Sequence, residues 1–256
     1  MFYLNKDRPF IINSEIIEWD IKSANLSIIK EYNLLSEGKI EKIEKMDKQD
    51  RVIFVGKEMA KDPAFSKILE ESFNSIIDKF IELNDLDKNY DVLTIKRDAV
   101  FIINKKPLVT KIGNNINFIP KNTYTSFIYI KPYEFYFTNN GNIEIKGLSK
   151  NFETEIKPLH ENGILEFLND VVAIAVNSNM NFKKMNTYLS EFVTAYKNRE
   201  LPFDYYREFN ASSKFKYVMY ENEMLMDNID DSILDSIDIQ YNYINIILPL
   251  IQLINI

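Results

Sequence analysis

Glu15–Tyr32 reads EIIEWDIKSANLSIIKEY, a short apolar run that stops at Asp20 and gives way at once to a helical pattern. Ile16, Ile17, Trp19 and Ile21 suit a strand with at least one buried face, and Ala24, Ile28, Leu34 and Leu35 recur roughly at helical spacing. Asp20 therefore falls at the end of a strand, facing a helix N-terminus. A carboxylate there has three uses: capping the helix through its open N–H groups, pairing with a base, or holding a hard cation such as Mg²⁺.

A second segment, Asp91–Asn104, reads DVLTIKRDAVFIIN, two apolar strands around a polar triplet that ends in Asp98. This pattern predicts a hairpin with an acid at its tip. Asp20 and Asp98 lie 78 residues apart in the chain, so only a fold that sets the first strand beside the hairpin makes them neighbours. Two carboxylates on adjacent rigid strands are what two-metal phosphoryl transfer requires, one cation activating the attacking hydroxyl and the other stabilising the leaving pyrophosphate.

These residues carry a resemblance. Asp20-Ile21-Lys22-Ser23-Ala24-Asn25-Leu26-Ser27-Ile28-Ile29 is similar to the first palm motif of family B DNA polymerases and to the equivalent reverse transcriptase motif, which prefers Ala where Ala24 stands. Arg97-Asp98-Ala99-Val100-Phe101-Ile102 resembles the family B hairpin motif, and Lys121-Asn122-Thr123-Tyr124 resembles the Lys-x-x-Tyr element that contacts the primer strand. The three matches come in the family's order. The resemblance implies that Asp20 and Asp98 are catalytic and hold two Mg²⁺ (or Mn²⁺) ions with help from the backbone carbonyl of Ile21, and that Lys121 and Tyr124 hold the primer end. It covers roughly the first half of the chain, to about residue 131.

The departures from the family are informative. Lys96 replaces the first acid of the hairpin motif, so Lys96 and Arg97 become candidates for contact with nucleic acid rather than with a cation. Asn25 stands where the family carries the aromatic residue that excludes a ribose 2′-hydroxyl, which implies relaxed discrimination against ribonucleotides. The fingers motif is not intact, since Glu70 occupies the position of its Lys before Asn74-Ser75. Arg51, Lys57 and Lys61, around Gly56 and between the two acid motifs, are then the candidates for binding an incoming triphosphate; the alternative is surface charge on an amphipathic helix.

Composition sets bounds on all of this. The 256 residues are 46% hydrophobic, enough for one large domain or two small ones. The chain has no Cys and a single His, His160, so a metal here must be bound by oxygen. His160 reads as a capping or surface residue. The net charge of −7 argues against general electrostatic attraction to DNA or RNA. Lys88–Lys131, however, holds eight basic residues against two acids and surrounds the proposed catalytic hairpin. A solvated hairpin face is the other reading of the same charges. The N-terminus has none of the regions of a signal peptide, which favours a cytoplasmic location. Heavy use of Ile, Asn, Lys, Tyr and Phe matches A+T-rich coding, common in phages and in some low-GC bacteria, and for a phage protein the compartment would be the host cytoplasm.

Taken with the resemblance, the remaining pattern implies a palm-like domain over 1–150, with a short helical fingers insertion at about 36–62, and a helical thumb-like or interaction region over 151–256. Met1–Ser14 reads as an extended lead-in, Ser23 to about Ser36 as a helix ended by Gly38, and Lys39–Arg51 as an exposed helix. Asp62-Pro63 is a helix start, an N-cap acid with Pro at the first helical position. The helix it opens carries Phe65, Ile68, Leu69, Phe73, Ile76, Ile77 and Phe80 on one stripe. Strands follow at 92–95, 100–103, 108–112, 116–119, 124–131, 134–138 and 143–146, with breaks at Pro107, Gly113, Pro120, Pro132 and Asn140-Gly141. The aromatic residues Tyr124, Phe127, Tyr129, Tyr133, Phe135, Tyr136 and Phe137 could stack on bases or divide between core and sheet surface. Gly163–Asn177 and Phe182–Asn198 read as an antiparallel helical pair. Arg207 and Glu208 read as a surface pair. Glu221–Asp238 has seven acids and no base, and Tyr241–Ile256 is almost wholly apolar but too short and Pro-interrupted to predict a membrane span. A core helix or a docking surface for a protein partner suits it better.

Together these features predict an α+β palm, an antiparallel sheet backed by helices, acting as a template-dependent nucleotidyltransferase on primer-template nucleic acid and nucleoside triphosphates. The competing expectation is a catalytically inactive protein of the same fold, an interaction or structural subunit of a nucleic-acid-processing or phage complex, since fold does not fix function. The acids discriminate. Asp20 and Asp98 close together without a base between them call for a cation, whereas Lys96 or Arg97 paired with both would favour the scaffold.

Overall fold

A computed structural model describes residues 2–146, 163–202, 205–206, 219–220, 223–224 and 242–254. His160, Arg207, Glu208 and most of Glu221–Asp238 lie outside the described residues. The chain is α+β with two antiparallel sheets and divides into two compact units, one of Met1–Arg8 with Ser14–Thr123 and one of Pro9–Asn13 with Tyr124–Ile256. The division falls at Thr123/Tyr124 rather than near residue 150. The strands after Tyr124 pair with one another and bury their apolar side chains against the C-terminal helices, which makes them part of the second unit.

In the first unit the strands are β1 (Phe2–Leu4), β3 (Ile16–Ile21), β4 (Val92–Lys96), β5 (Ala99–Ile103) and β6 (Phe118–Tyr124), in the order β1-β4-β5-β3-β6. The segment read as a lead-in is thus paired sheet, Tyr3 lying opposite Ile95. Strand alternation sends Ile17, Trp19 and Ile21 of β3, with Val100 and Ile102 of β5, into a core shared with the helices. Glu18 and Asp20 point to the opposite face.

Those helices are α1 (Ala24–Glu31), α2 (Glu37–Glu44), α3 (Lys48–Lys61) and α4 (Pro63–Leu83). Asp62 accepts hydrogen bonds from the Ala64 and Phe65 amides at 3.0 and 3.1 Å, the cap anticipated from Asp62-Pro63. Of the stripe expected on α4, all but Ile68 are buried, and the Phe80 ring stacks on Phe118 at 3.8 Å. The helix expected over 23–36 is shorter. It closes at Tyr32 because Asn33 takes a left-handed φ of 50° and the Leu34 amide reaches back to the Ile29 carbonyl at 3.0 Å, a Schellman closure. Gly38 terminates nothing and lies in the first turn of α2. The expected helix over 39–51 is divided at Asp47, whose side chain caps α3 by accepting from the Asp50 amide at 2.9 Å. Residues 108–112 form no strand, only a single bridge from Lys111 to Asn117. Pro120 interrupts nothing, since β6 is the edge strand of its sheet, where a missing N–H donor is tolerated.

The second unit has a four-stranded sheet in the order β2-β7-β8-β9, from β2 (Phe10–Ile11), β7 (Ser126–Ile130), β8 (Tyr133–Phe137) and β9 (Ile143–Lys146). A cis Lys131–Pro132 peptide joins β7 to β8, and Gly141, at φ 77°, closes the expected Asn140-Gly141 turn into β9. Ile128, Ile130, Phe135 and Phe137 pack with α5 (Gly163–Asn177) and α6 (Phe182–Lys197). Ile246, Ile247, Leu250 and Ile254 complete that core from a π-helical turn (Tyr243–Ile247) running into α7 (Leu248–Ile254). The apolar C-terminal segment is therefore core packing over its described part. A two-strand ribbon pairs β10 (Met219–Tyr220) with β11 (Glu223–Met224). Among the described residues no helix is long and apolar enough to cross a membrane.

Candidate functional site

The register of the first sheet brings the two acids together. Asp20, the penultimate residue of β3, lies opposite Ala99, and Lys96 pairs with the same Ala99 across the β4–β5 hairpin. Arg97 and Asp98 form the hairpin's two-residue loop, Arg97 taking a left-handed φ of 49°. The Asp98 carbonyl accepts from the Ile21 amide at 3.0 Å, which fastens the hairpin tip to the end of β3. Asp20, Ile21 and Asp98 line one pocket of about 320 Å³ together with Lys22, Asn25, Lys48, Arg51, Val52 and Ile119.

Two acids lining one pocket repel each other. The Asp98 carboxyl is pushed above the usual carboxylate range, first by burial and then by the charge on Asp20. The charge on Arg97 offsets part of this, while its guanidinium lies over the Phe73 ring, 4.7 Å from the centroid. A different base approaches. Lys121 on β6 places its ammonium 3.2 Å from Asp20 Oδ2 and 3.3 Å from Glu18 Oε1. Burial would lower the Lys121 pKa, but Glu18 and Asp20 outweigh it and hold the amine above its ordinary value. Glu18 is 2% exposed and also accepts from Asn122 Nδ2 at 2.8 Å.

The start of α1 opens on the same pocket. Ser23 precedes the helix at φ 52° with no side-chain cap, and no acid occupies the first turn. The opening N–H groups of a helix have no acceptor within it, and they carry the positive end of its dipole. Asn25 Oδ1 is a buried atom with no hydrogen-bond partner among the described residues. Lys48 and Arg51, one turn apart on α3, add two cations to the pocket wall.

The other sequence candidates fall elsewhere. Lys57 and Lys61 lie on α3 but do not line the pocket, because six and ten residues beyond Arg51 carry them roughly 9 and 15 Å along the helix axis. Lys61 instead pairs with Glu58 at 3.3 Å. Lys96 is half-buried on β4, outside the pocket lining. Tyr124 belongs to the second unit and is 1% exposed; its ring packs on Tyr136 at 5.0 Å and its hydroxyl donates to Glu144. Of the two readings of the aromatic cluster, core packing holds for Phe127, Tyr133, Phe135, Tyr136 and Phe137, all buried, while Tyr129 is half-buried. Sequence reasoning missed Glu18 and Lys48. Their signals were spacing: Glu18 is two residues before Asp20, hence on its face of the strand, and Lys48 is three residues before Arg51.

Among the described residues no three His, Cys, Asp or Glu side chains converge as a metal cage. The donor set nevertheless fits Mg²⁺, which is typically held by one or two carboxylates with water and substrate phosphates completing its shell. Fold and site together define an α+β protein with a paired-carboxylate pocket at a strand end. The chain belongs to the Bacteriophage PBS1 gene 130 protein family, whose model matches residues 1–256. No curated protein matches it.

Proposed function

We propose that the chain is a template-dependent nucleotidyltransferase of the polymerase palm type, in which Asp20 and Asp98, with the Ile21 carbonyl, hold Mg²⁺ or Mn²⁺. The observation that carries this reading is the meeting of two carboxylates from distant segments in one pocket, with Asp98 held above the usual carboxylate range beside Asp20. Bound cations would neutralise charge on the reacting phosphate oxygens and favour ionisation of the attacking hydroxyl. The chain's own residues supply the rest. Arg51 and Lys48, facing the open start of α1, provide positive potential for a polyphosphate. Asn25 offers an amide in place of a bulky ring on the pocket wall, which supports tolerance of a ribose 2′-hydroxyl. The basic run Lys88–Lys131 lends less to this reading, since Lys88, Lys105, Lys106 and Lys121 are paired with Asp78, Asp91, Glu15 and the Glu18–Asp20 face.

A second reading, an inactive palm that serves as an interaction or structural subunit of a phage complex, is favoured by one contact. Lys121 already neutralises Asp20 at 3.2 Å. The two readings separate in a primer-extension assay on DNA and RNA templates with deoxy- and ribonucleotides and Mg²⁺ or Mn²⁺. Extension with either nucleotide supports the enzyme, and use of ribonucleotides supports the role of Asn25. A folded chain that extends nothing and binds neither cation supports the subunit.

A further inference from the structure

Glu18 has no place in the reaction proposed above, yet it is a carboxylate with only 3% of its side chain exposed. Burying a charge is costly unless it is paired and hydrogen-bonded, and Glu18 is both. Lys121 Nζ lies 3.3 Å from one oxygen, and Asn122 Nδ2 lies 2.8 Å from the other. Because β3 alternates, Glu18 and Asp20 share a face, and an ammonium anchored on Glu18 reaches Asp20 at 3.2 Å. The Lys121 side chain is half exposed, so it can leave Asp20 without unpacking the sheet.

We propose that Glu18 is a positioning residue that parks Lys121 against Asp20, making the lysine a tethered counter-ion that a divalent cation must displace. Lys121 and the cation are alternatives at one oxygen ligand, so the site discharges its own repulsion in the resting protein and takes up metal weakly until Lys121 moves away. The inference rests on the reading of Asp20 and Asp98 as cation ligands.

Mn²⁺ binding to the full chain, followed by calorimetry and by the shift in melting temperature, tests it without an activity assay. Lys121→Gln removes the tethered charge and should tighten Mn²⁺ binding roughly tenfold, about 1.4 kcal/mol. Lys121→Arg keeps the charge and should leave binding weak. Should Lys121→Gln fail to fold with Glu18 unpaired, the Glu18→Gln/Lys121→Gln double variant removes both charges and should still bind more tightly than Glu18→Gln alone. Asp20→Asn should abolish the gain in every background. Native protein that binds Mn²⁺ through Asp20, with equal or weaker binding in Lys121→Gln, would overturn the counter-ion role and leave the cation site standing. Absence of Mn²⁺ binding in native protein and both lysine variants would overturn the cation site and this inference with it.

Discussion

The two units treat their acids differently. In the first, Asp20 and Asp98 line one pocket, and Asp98 is raised above the usual carboxylate range by burial and by the charge on Asp20. In the second, three of the described acids are matched with tyrosine hydroxyls: Tyr136 donates to Glu134 at 2.8 Å, Tyr188 to Asp170 at 3.0 Å, and Tyr124 to Glu144. A phenol next to a carboxylate satisfies it at little electrostatic cost and is itself held protonated, as burial and then Asp170 do for Tyr188. Glu134, Asp170 and Glu144 are therefore explained by packing. The first unit's pair is answered by a charge instead: Lys121 lies 3.2 Å from Asp20 and offsets part of the repulsion that raises Asp98.

The largest expected effects probe the two cores. Phe80→Ala, which removes the ring stacked on Phe118, should destabilise the first unit by about 3–5 kcal/mol, and Phe192→Ala, which removes the ring on Phe167, should cost the second as much. Denaturant unfolding watched by separate probes in each unit would show whether each loss stays in its own unit. Next in size is the contrast between the acids themselves. Glu134→Ala takes an acceptor from a buried tyrosine hydroxyl and should destabilise by about 1–3 kcal/mol, whereas Asp98→Asn should stabilise. The folded-state pKa of Asp98 lies above its unfolded value, so its contribution to stability falls as pH rises from the unfolded pKa through the folded one. The gain in Asp98→Asn should thus be present at pH 7 and fade below pH 4. Melting temperatures of both variants across that range decide the matter, and a lower melting temperature for Asp98→Asn at pH 7 would erase the contrast.

Smaller effects mark the framework around the site. Asp62→Ala should cost about 1 kcal/mol by uncapping α4. Glu31 accepts from the Asn115 and Asn114 amides, which hold its carboxyl below the usual range. Its contribution is present above the unfolded pKa and lost as pH falls through the folded one. Glu31→Gln should therefore melt below the native protein at pH 7 and converge with it in acid. Equal melting at pH 7 would remove Glu31 as the clamp on the 113–115 loop.

Much of the first unit was legible because its signals are local. Asp62-Pro63, the α4 stripe and the apolar runs around Asp98 each act within a few residues, and the pairing of β3 with the hairpin was the condition under which the two acids become neighbours. What was not legible depended on competition between local signals or on distant partners. Gly38 looked like a helix stop, but Asn33 supplies the left-handed residue three positions before the next N-cap. Pro120 looked like a break, but strand order puts it on an edge. Lys57 and Lys61 looked equivalent to Arg51 until the length of α3 carried them away from the pocket. Tyr124 is turned inward by the ring of Tyr136, a partner in the next strand pair. Glu18 was hidden by its apolar neighbours, although period two placed it beside Asp20.

The central claim is that the Asp20–Asp98 pair works with a divalent cation on nucleotides, while the tyrosine-matched acids of the second unit serve packing alone. Primer extension in Mg²⁺ or Mn²⁺ by the native chain, Asp20→Asn, Asp98→Asn and Glu134→Gln measures this most directly. Extension by the native chain and by Glu134→Gln, with loss of at least about 100-fold in both aspartate variants while they remain folded, is the predicted result. Extension that survives in either aspartate variant, or a folded native chain that extends no primer under any of these conditions, would contradict it.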